Sequence, residues 1–430
     1  MKKLTAILLS VVLVLSCALA LTSCNAETGN DNGEETSYVA YVIAEKGDTY
    51  SLGLSNNFKT AFEAKGGTVI METFPTNTTN FSDYLQKAID KDADVIFAPN
   101  STTVAANLLK NANDLGVECP ILAGDTWESS VILDAVKDTD LKVYCSTFFD
   151  ESDASSTAAA DFVSGFKAYL NDNSEYFEMN SGNDIVAAVS ALGFDAYNVA
   201  MTAIRAAAEE KGEELTTIDV ANALWALETS GVTGAIVFDK NGDAIKDSAY
   251  IKQAAPEGDK FNFIKVQTVE NNAEQGTPAD YGTATGVALD TEGKKIVIGV
   301  YEPTSGNNAA GGKQEVLGIM YANSIDNTIT IGENDYTVEI YVSDNGSLEE
   351  NAVTAASNIV NQNALISLGS YGSGVSIAAA STFADAGIPA IGISCTNASV
   401  TEGHDYYFRT CFLDPFQGSV MADFALELIK

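Results

Sequence analysis

Residues 294–306 read KKIVIGVYEPTSG. Two lysines precede a run of β-branched residues, and a Pro/Thr/Ser/Gly turn follows. A buried strand that opens an α/β domain reads this way, with a turn where the chain must enter its first helix. Yet the stretch stands about two-thirds of the way along a chain of 430 residues. Beyond it the pattern predicts a helix carrying Val316, Leu317, Met320 and Ala322, then a strand in YTVEIYVSDNGS (336–347) that ends in a turn. Ser347 and Glu350 have the spacing of a capping box for the next helix. ALISLGS (364–370), a helix from about Ser373, PAIGIS (389–394) and YYFRT (406–410) continue the alternation. The last segment, PFQGSVMADFALELIK (415–430), is a helix with no strand after it, although a βα series normally returns to its sheet.

The first third of the chain alternates in the same way. YVAYVIAE (38–45) is a strand. A helix follows with Leu54, Phe58, Ala61 and Phe62 on one face and Gly66-Gly67 as its stop. TVIMETF (68–74), a helix from about Ser82 with Leu85 and Ile89, DVIFAPN (94–100), a helix over 102–115 and PILAGD (120–125) complete the series. Nearly continuous apolar strands between helices predict an α/β fold of doubly wound parallel sheets, with a ligand crevice where strands end and helices begin. Between the two units, Phe194, Tyr197, Met201 and Ile204 set the register of a helix over 193–211, and a second helix covers 217–228. GAIVFDKNGDAIKDSAYIKQ (234–253) reads as strand, Asn241-Gly242 turn, strand. Residues 268–293 lack periodicity and carry Gly, Asn, Thr and Pro, as a linker does.

Hydrophobic residues make up 46% of the chain and charged residues 19%, which favours a globular protein over a disordered one. The net charge of −36 repels phosphate backbones and argues against nucleic acid as a partner. Two lysines at the start lead into an apolar run over 5–21, too short for a comfortable membrane span and flanked as a secretion signal is. The run ends in LTSC (21–24), similar to a bacterial lipobox, which implies removal of 1–23 and lipidation of Cys24. The polar stretch 25–37 then reads as a tether. Cys119, Cys145, Cys395 and Cys411 remain; their spacing supports neither a metal site nor a C-x-x-C motif, and a Cys395–Cys411 disulfide stays open.

The candidate chemistry is binding. Ser373 stands at a strand-to-helix turn, where its hydroxyl and free N–H groups suit a carboxylate, and Ser394, Cys395 and Thr396 offer a second such set at the next strand end. In the first unit Asp125 follows a strand, with Trp127 beside it, and suits an ammonium. Tyr50 supplies an aromatic wall. Together these suggest a zwitterion held between two lobes. No P-loop or G-x-S-x-G elbow is present, and the single histidine, His404, leaves no histidine-based metal cluster. DKNGD (239–243) departs from a calcium loop and reads as a turn. No cofactor and no metal are expected, nor catalysis.

A resemblance sharpens this reading. SYGSGVSIAAASTFADAGIPAIGISCTNASVT (370–401) and YYFRTCFLDPFQGSVMADFALELIK (406–430) are similar to the amino-terminal half of branched-chain amino-acid-type substrate-binding proteins, the type I periplasmic binding fold of ABC importers. GDTYSLGLSNNFKTAFEAKGG (47–67), ADVIFAPNSTTVAANLL (93–109), ILAGDTWESS (121–130), VSALGFDAYNVAMTAIRAA (189–207) and GVTGAIVFDKNGD (231–243) are similar to the carboxy-terminal half. The resemblance implies that Ser373 meets a ligand carboxylate and that Thr396 is a hydroxyl partner for the same ligand, with Ser394 and Cys395 in the same loop. It implies that Asp125 meets the α-ammonium and that Tyr50 is a wall. Gly311, where members often place an aromatic, and Ser101, where some carry Tyr, depart from the pattern.

The halves stand in reversed order, which implies a circularly permuted fold. Residues 38–185, 248–267 and 414–430 would form one lobe, and 186–247 and 294–413 the other. Residue 430 would then lie near residue 38, as tolerated permutations require. The linker over 268–293 reaches at most about 85 Å extended and roughly 28 Å as a coil, enough to join the former ends. A chimera whose halves pair between molecules is the structural rival. Functionally, the resemblance implies a lipid-anchored, extracytoplasmic receptor that closes on an amino acid and presents it to ABC permease subunits. A ligand sensor on the same fold and an exported enzyme are the alternatives.

Overall fold

The run VAYVIAE forms β1 (Val39–Glu45), buried at every residue after the first. The computed structural model describes residues 38–152, 156–282 and 284–430, so the segment containing Cys24 and the tether lies outside the described residues. Asp48 caps α1 (Thr49–Ala64) by accepting from Ser51 N at 2.6 Å, and α1 turns Leu54, Phe58 and Phe62 inward. The series continues as β2 (Thr68–Phe74), α2 (Ser82–Asp90), β3 (Val95–Phe97), α3 (Thr102–Leu115), β4 (Ile121–Ala123), α4 (Ser130–Val136) and β5 (Val143–Thr147). These five strands are parallel, in the order β2-β1-β3-β4-β5.

The chain then leaves this sheet through α5 (Thr157–Asn171) and α6 (Ser174–Met179). It builds α7 (Ala188–Lys211), α8 (Thr217–Trp225) and a small hairpin of β6 (Glu228–Gly231) and β7 (Gly234–Val237). β8 (Ser248–Ala254) and β9 (Phe261–Thr268) return to the first sheet and add to β5 antiparallel. A second sheet begins with β10 (Lys295–Val300). It continues through α9 (Ala309–Ile325), β11 (Thr328–Ile331), β12 (Asn334–Val342), α10 (Glu349–Val360), β13 (Ile366–Leu368), α11 (Ser373–Ala386), β14 (Ala390–Gly392) and β15 (Tyr407–Arg409). Its order is β11-β12-β10-β13-β14-β15, parallel except at β11.

The last helix, α12 (Asp414–Ile429), crosses back to the first sheet and lies along α1. Gly418 makes that approach possible: a Cβ there would sit 2.7 Å from Phe58 N. Phe424 meets the Tyr144 ring edge-on at 5.3 Å, and Asp423 and Glu427 pair with Lys65 at 2.9 Å and Lys265 at 2.7 Å. In the second lobe α7 packs on α9 through another glycine, Gly318, whose Cβ would fall 2.0 Å from Ser190 O.

Three local expectations are corrected. The Asn241-Gly242 turn forms, with Phe238 bridged to Ala244 and with Asp239 N and Ile245 N donating across it to Asp243 O and Val237 O at 2.8 and 2.9 Å, but the pairing stops there: the second arm also pairs with β15 at Arg409, where Asp243 forms a buried ion pair at 2.6 Å, and β8 belongs to the first sheet. Ser347 does not cap α10. Its φ is +62°, and its Oγ accepts from Asn308 N and donates to Ser305 O, both at 3.0 Å, so it ties two loops together. The stretch after β9 is not a free coil. Gly276 N donates to Phe238 O at 2.9 Å, and Tyr281 OH accepts from Trp225 Nε1 at 2.8 Å and donates to Asp405 O at 3.2 Å, pinning the stretch across the second lobe. Cys119, Cys145, Cys395 and Cys411 are free thiols, so Cys395 and Cys411 are unpaired.

Candidate functional site

A pocket opens between the two sheets where loops after parallel strands converge, as the topology of doubly wound sheets dictates. Tyr50, Ser101 and Thr126 line it from the first lobe, and Ser347, Tyr371, Ser373 and Ser394 from the second. The lobes meet beside it: Thr102 Oγ1 donates to Asn307 O at 3.3 Å, and Asn397 Nδ2 to Thr49 O at 3.2 Å. Asp48 and Glu349 also reach the lining, and no lysine, arginine or histidine does.

The first-lobe wall is built from the β1–α1 and β4 loops. The cap at Asp48 places Tyr50 on the first turn of α1, and Tyr50 OH donates to Asp125 Oδ1 at 3.1 Å. Gly124 leaves room for that hydroxyl, since a Cβ there would lie 2.3 Å from it. Asp125 is 3% exposed and stands one hydrogen bond behind the lining. Its Oδ1 also accepts from Gln417 Nε2 on α12 at 2.9 Å, and the same amide donates to Ser146 Oγ at 2.9 Å. Burial pushes the Asp125 carboxyl up to about 6, against the hydrogen bonds from Gln417 and Tyr50 that favour the charge. Ser101 Oγ is buried without a hydrogen-bond partner, a position that a ligand atom can satisfy. Trp127 does not join the pocket. It is fully buried, and its Nε1 donates to Asn100 O at 3.1 Å, which makes it a core residue.

The second-lobe wall is built from the β13–α11 and β14 loops. Ser373 opens α11, so its hydroxyl stands beside the free N–H groups of the first turn. It also accepts from Asn397 N at 3.3 Å. Ser394 bonds to Glu315 of α9 through its hydroxyl. Cys395 and Thr396 share the loop but are buried and absent from the lining; Thr396 O accepts from Asp414 N at 2.8 Å. The space a side chain at 311 would fill is taken by the Tyr371 ring, 2.2 Å from a Cβ at Gly311, so an aromatic wall arrives from a different segment.

Sequence reasoning missed the groups that hold these loops. Arg409 Nη1 donates to Cys395 O at 2.7 Å and Asn397 O at 2.6 Å, and Nη2 to Thr401 Oγ1 at 3.1 Å, so one buried guanidinium shapes the whole loop after β14. Its arginine sits in YYFRT, and its acid partner, Asp243, stands 166 residues away in sequence. Glu302 and Glu315 were equally silent, because an acid in a turn and an acid on a helix ordinarily face water.

The family model described as periplasmic binding protein matches this chain over residues 34–259 and 295–428. The chain belongs to the periplasmic binding protein family. This is a family of solute-binding proteins rather than enzymes. A Pseudomonas aeruginosa "Amino acid binding protein" is 34% identical over 137 residues, 31% of this chain and 36% of that one. The Brucella abortus "Leu/Ile/Val-binding protein homolog 2" is 29% identical over 136 residues, with the same coverage. The chain thus spans about a third of the length of these relatives. A leucine-binding protein from Thermotoga maritima is 27% identical with a TM-score of 0.45, over 54% of this chain and 61% of that one. A branched-chain amino-acid-transporter substrate-binding protein from Streptococcus pneumoniae, solved with isoleucine, is 21% identical with a TM-score of 0.40, over 54% and 60%.

Proposed function

We propose that this periplasmic binding protein is an extracytoplasmic receptor that captures an amino acid in its interlobe pocket and delivers it to the permease subunits of an ABC importer. The observation that carries the reading is the facing of two unlike walls. Hydroxyls and a helix N-terminus at Ser373 and Ser394 suit a carboxylate, and Tyr50 backed by Asp125 suits an ammonium. The pocket's lining brings no cation of its own, so the donors for a carboxylate are hydroxyls and N–H groups, and the acids at the pocket, Asp48, Asp125 and Glu349, favour an ammonium. Charged groups that leave water for such a pocket need partners of this kind.

The same reading includes a permuted chain. α12, the last helix, lies on α1 near the start of the described residues, and it supplies Gln417 to Asp125. β10 opens the second sheet, and the pinned stretch over 269–294 bridges from β9. In this reading 38–185, 248–267 and 414–430 form one lobe, and 186–247 and 294–413 the other. Lipid attachment at Cys24 completes the proposal.

Calorimetry with the twenty protein amino acids tests it. Binding by at least one is expected, and Asp125→Ala and Ser373→Ala should each weaken it by about 2–5 kcal/mol, the cost of leaving a desolvated charge unpaired. Unchanged affinity in both variants overturns the assignment. Light scattering of the ligand-bound protein should give the mass of one chain; an obligate dimer would favour halves paired between molecules.

A further inference from the structure

Two carboxyl groups lie behind the second-lobe wall. Glu302 follows β10 and Glu315 stands on α9, and both are fully buried. Glu302 Oε2 accepts from Tyr371 N at 2.8 Å, and Glu315 Oε1 is bonded to Ser394 Oγ, so each acid holds one residue of the pocket lining. Their remaining oxygens, Glu302 Oε1 and Glu315 Oε2, are buried and meet no hydrogen-bond donor, and the two carboxyls lie within reach of each other. Two carboxyls in that contact require a proton between them. The space is made for them: Gly369 has φ +109°, and a Cβ there would sit 2.5 Å from Glu302 Oε1.

The groups facing the pair add no positive charge. Tyr301 and Cys395 are near Glu302, Asp125 is the further acid that acts on Glu315, and Tyr371 is near both acids. Arg409, on the other side of Cys395, is engaged by Asp243, Thr401 and the carbonyls of Cys395 and Asn397.

Resting on the amino-acid reading above, we propose that Glu315, held by a protonated Glu302, is a positioning residue whose own proton turns Ser394 into a hydrogen-bond donor toward the carboxylate of the ligand. A serine hydroxyl has one hydrogen. While Glu315 is ionised, Ser394 gives that hydrogen to Glu315 and shows only lone pairs to the pocket, which repel a carboxylate. With a proton on Glu315 Oε1 the bond reverses, Ser394 accepts from Glu315, and its hydrogen is free for the ligand. Glu302 keeps its own proton throughout. Burial pushes Glu315 up to about 8, and burial beside Glu315 holds Glu302 well above the usual carboxylate range.

Calorimetry of the full chain with the amino acid it binds most tightly, between pH 7 and 9, tests the coupling. Affinity should be level to about pH 8 and then fall about tenfold per pH unit, the slope of one linked proton. Glu315→Gln imitates the protonated acid, accepting from Glu302 and donating to Ser394, and should stay level to pH 9. Glu302→Gln still donates to Glu315 and should keep the fall. A wild-type profile level to pH 9, or an equal fall in Glu315→Gln, overturns the coupling.

A ligand-free arm separates the two readings. Glu315 stays protonated in the folded chain while the unfolded chain ionises, so wild type loses stability relative to Glu315→Gln as pH rises from about 5 to about 8. The Tm difference between them should therefore grow over that range. A constant difference overturns the proton assignment whether or not an amino acid binds. A growing difference with no binding by any of the twenty overturns the amino-acid reading and the coupling with it.

Discussion

Asp125 is a side chain whose proposed role at the site runs against the stability of the fold. It is buried, and no cation contacts it among the described residues. Its carboxyl sits at about 6 against an ordinary 3.8, chiefly because burial disfavours the charge. A carboxyl raised in the folded state stays protonated there while the unfolded chain ionises. The folded state therefore loses stability as pH rises from about 4 to about 6, and the loss persists above that. Asp125→Asn keeps an acceptor for Tyr50 and Gln417 and removes the charge. It should be more stable than wild type by on the order of 1–3 kcal/mol at pH 7, with the gain vanishing near pH 4, as read by urea denaturation at both values. Amino-acid affinity should collapse in the same variant. A pH-independent stability difference would show that burial does not set this titration. Trp127, two residues away in sequence, teaches the complementary lesson: adjacency to Asp125 suggested a ligand contact, but the 3₁₀ turn over Asp125–Trp127 sends the indole into the core, where it donates to Asn100 O.

At the scale of elements, α12 joins packing to chemistry. The helix lies on α1 because Gly418 removes the side chain at the crossing, and the residue before it, Gln417, carries the amide that links Asp125 to Ser146. Gly418→Val would drive a branched side chain into the α1 backbone near Phe58. Overpacking of this kind costs about 1–3 kcal/mol. Because Gln417 must move with the helix, amino-acid affinity should fall by tenfold or more in the same variant, measured by calorimetry at a temperature where circular dichroism shows it folded. Unchanged affinity would mean that Gln417 has no part in holding Asp125. The elements themselves were largely legible: the strand-helix alternation from β1 to β4, the run KKIVIGVYEPTSG as β10, and the strandless last helix all follow from local periodicity. The turn read at Asn241-Gly242 forms, but its pairing is cut short for a long-range reason, since Asp243 finds its partner at Arg409, far along the chain.

For the whole molecule, the proposed permutation makes the order of the halves and the position of α12 one statement about connectivity. A chain in which residue 430 is joined to residue 38 by a short flexible linker, and the stretch over 269–294 is opened, would have the order implied by the resemblance. Because sheets and helices are retained, it should fold and bind the same amino acid within about tenfold, as circular permutants with neighbouring ends do. Its Tm should fall modestly, since opening near Tyr281 loosens the hydrogen bonds to Trp225 and Asp405. Loss of folding would show that the pinned stretch is indispensable to the second lobe.

The sequence by itself determined the α/β alternation, the order of the elements and the positions where strands end in loops rich in hydroxyls, because apolar periodicity and turn chemistry act over a few residues. Tertiary structure alone decided which polar side chains face the pocket and which are buried behind it. It placed Tyr50, Ser101, Ser373 and Ser394 on the lining, set Asp125 one hydrogen bond back, and withdrew Trp127, Cys395 and Thr396 from it. It also brought Glu302 to Glu315 and Arg409 to Asp243. Burial and charge pairing depend on contacts between segments far apart in the chain, and local patterns do not encode where such segments meet.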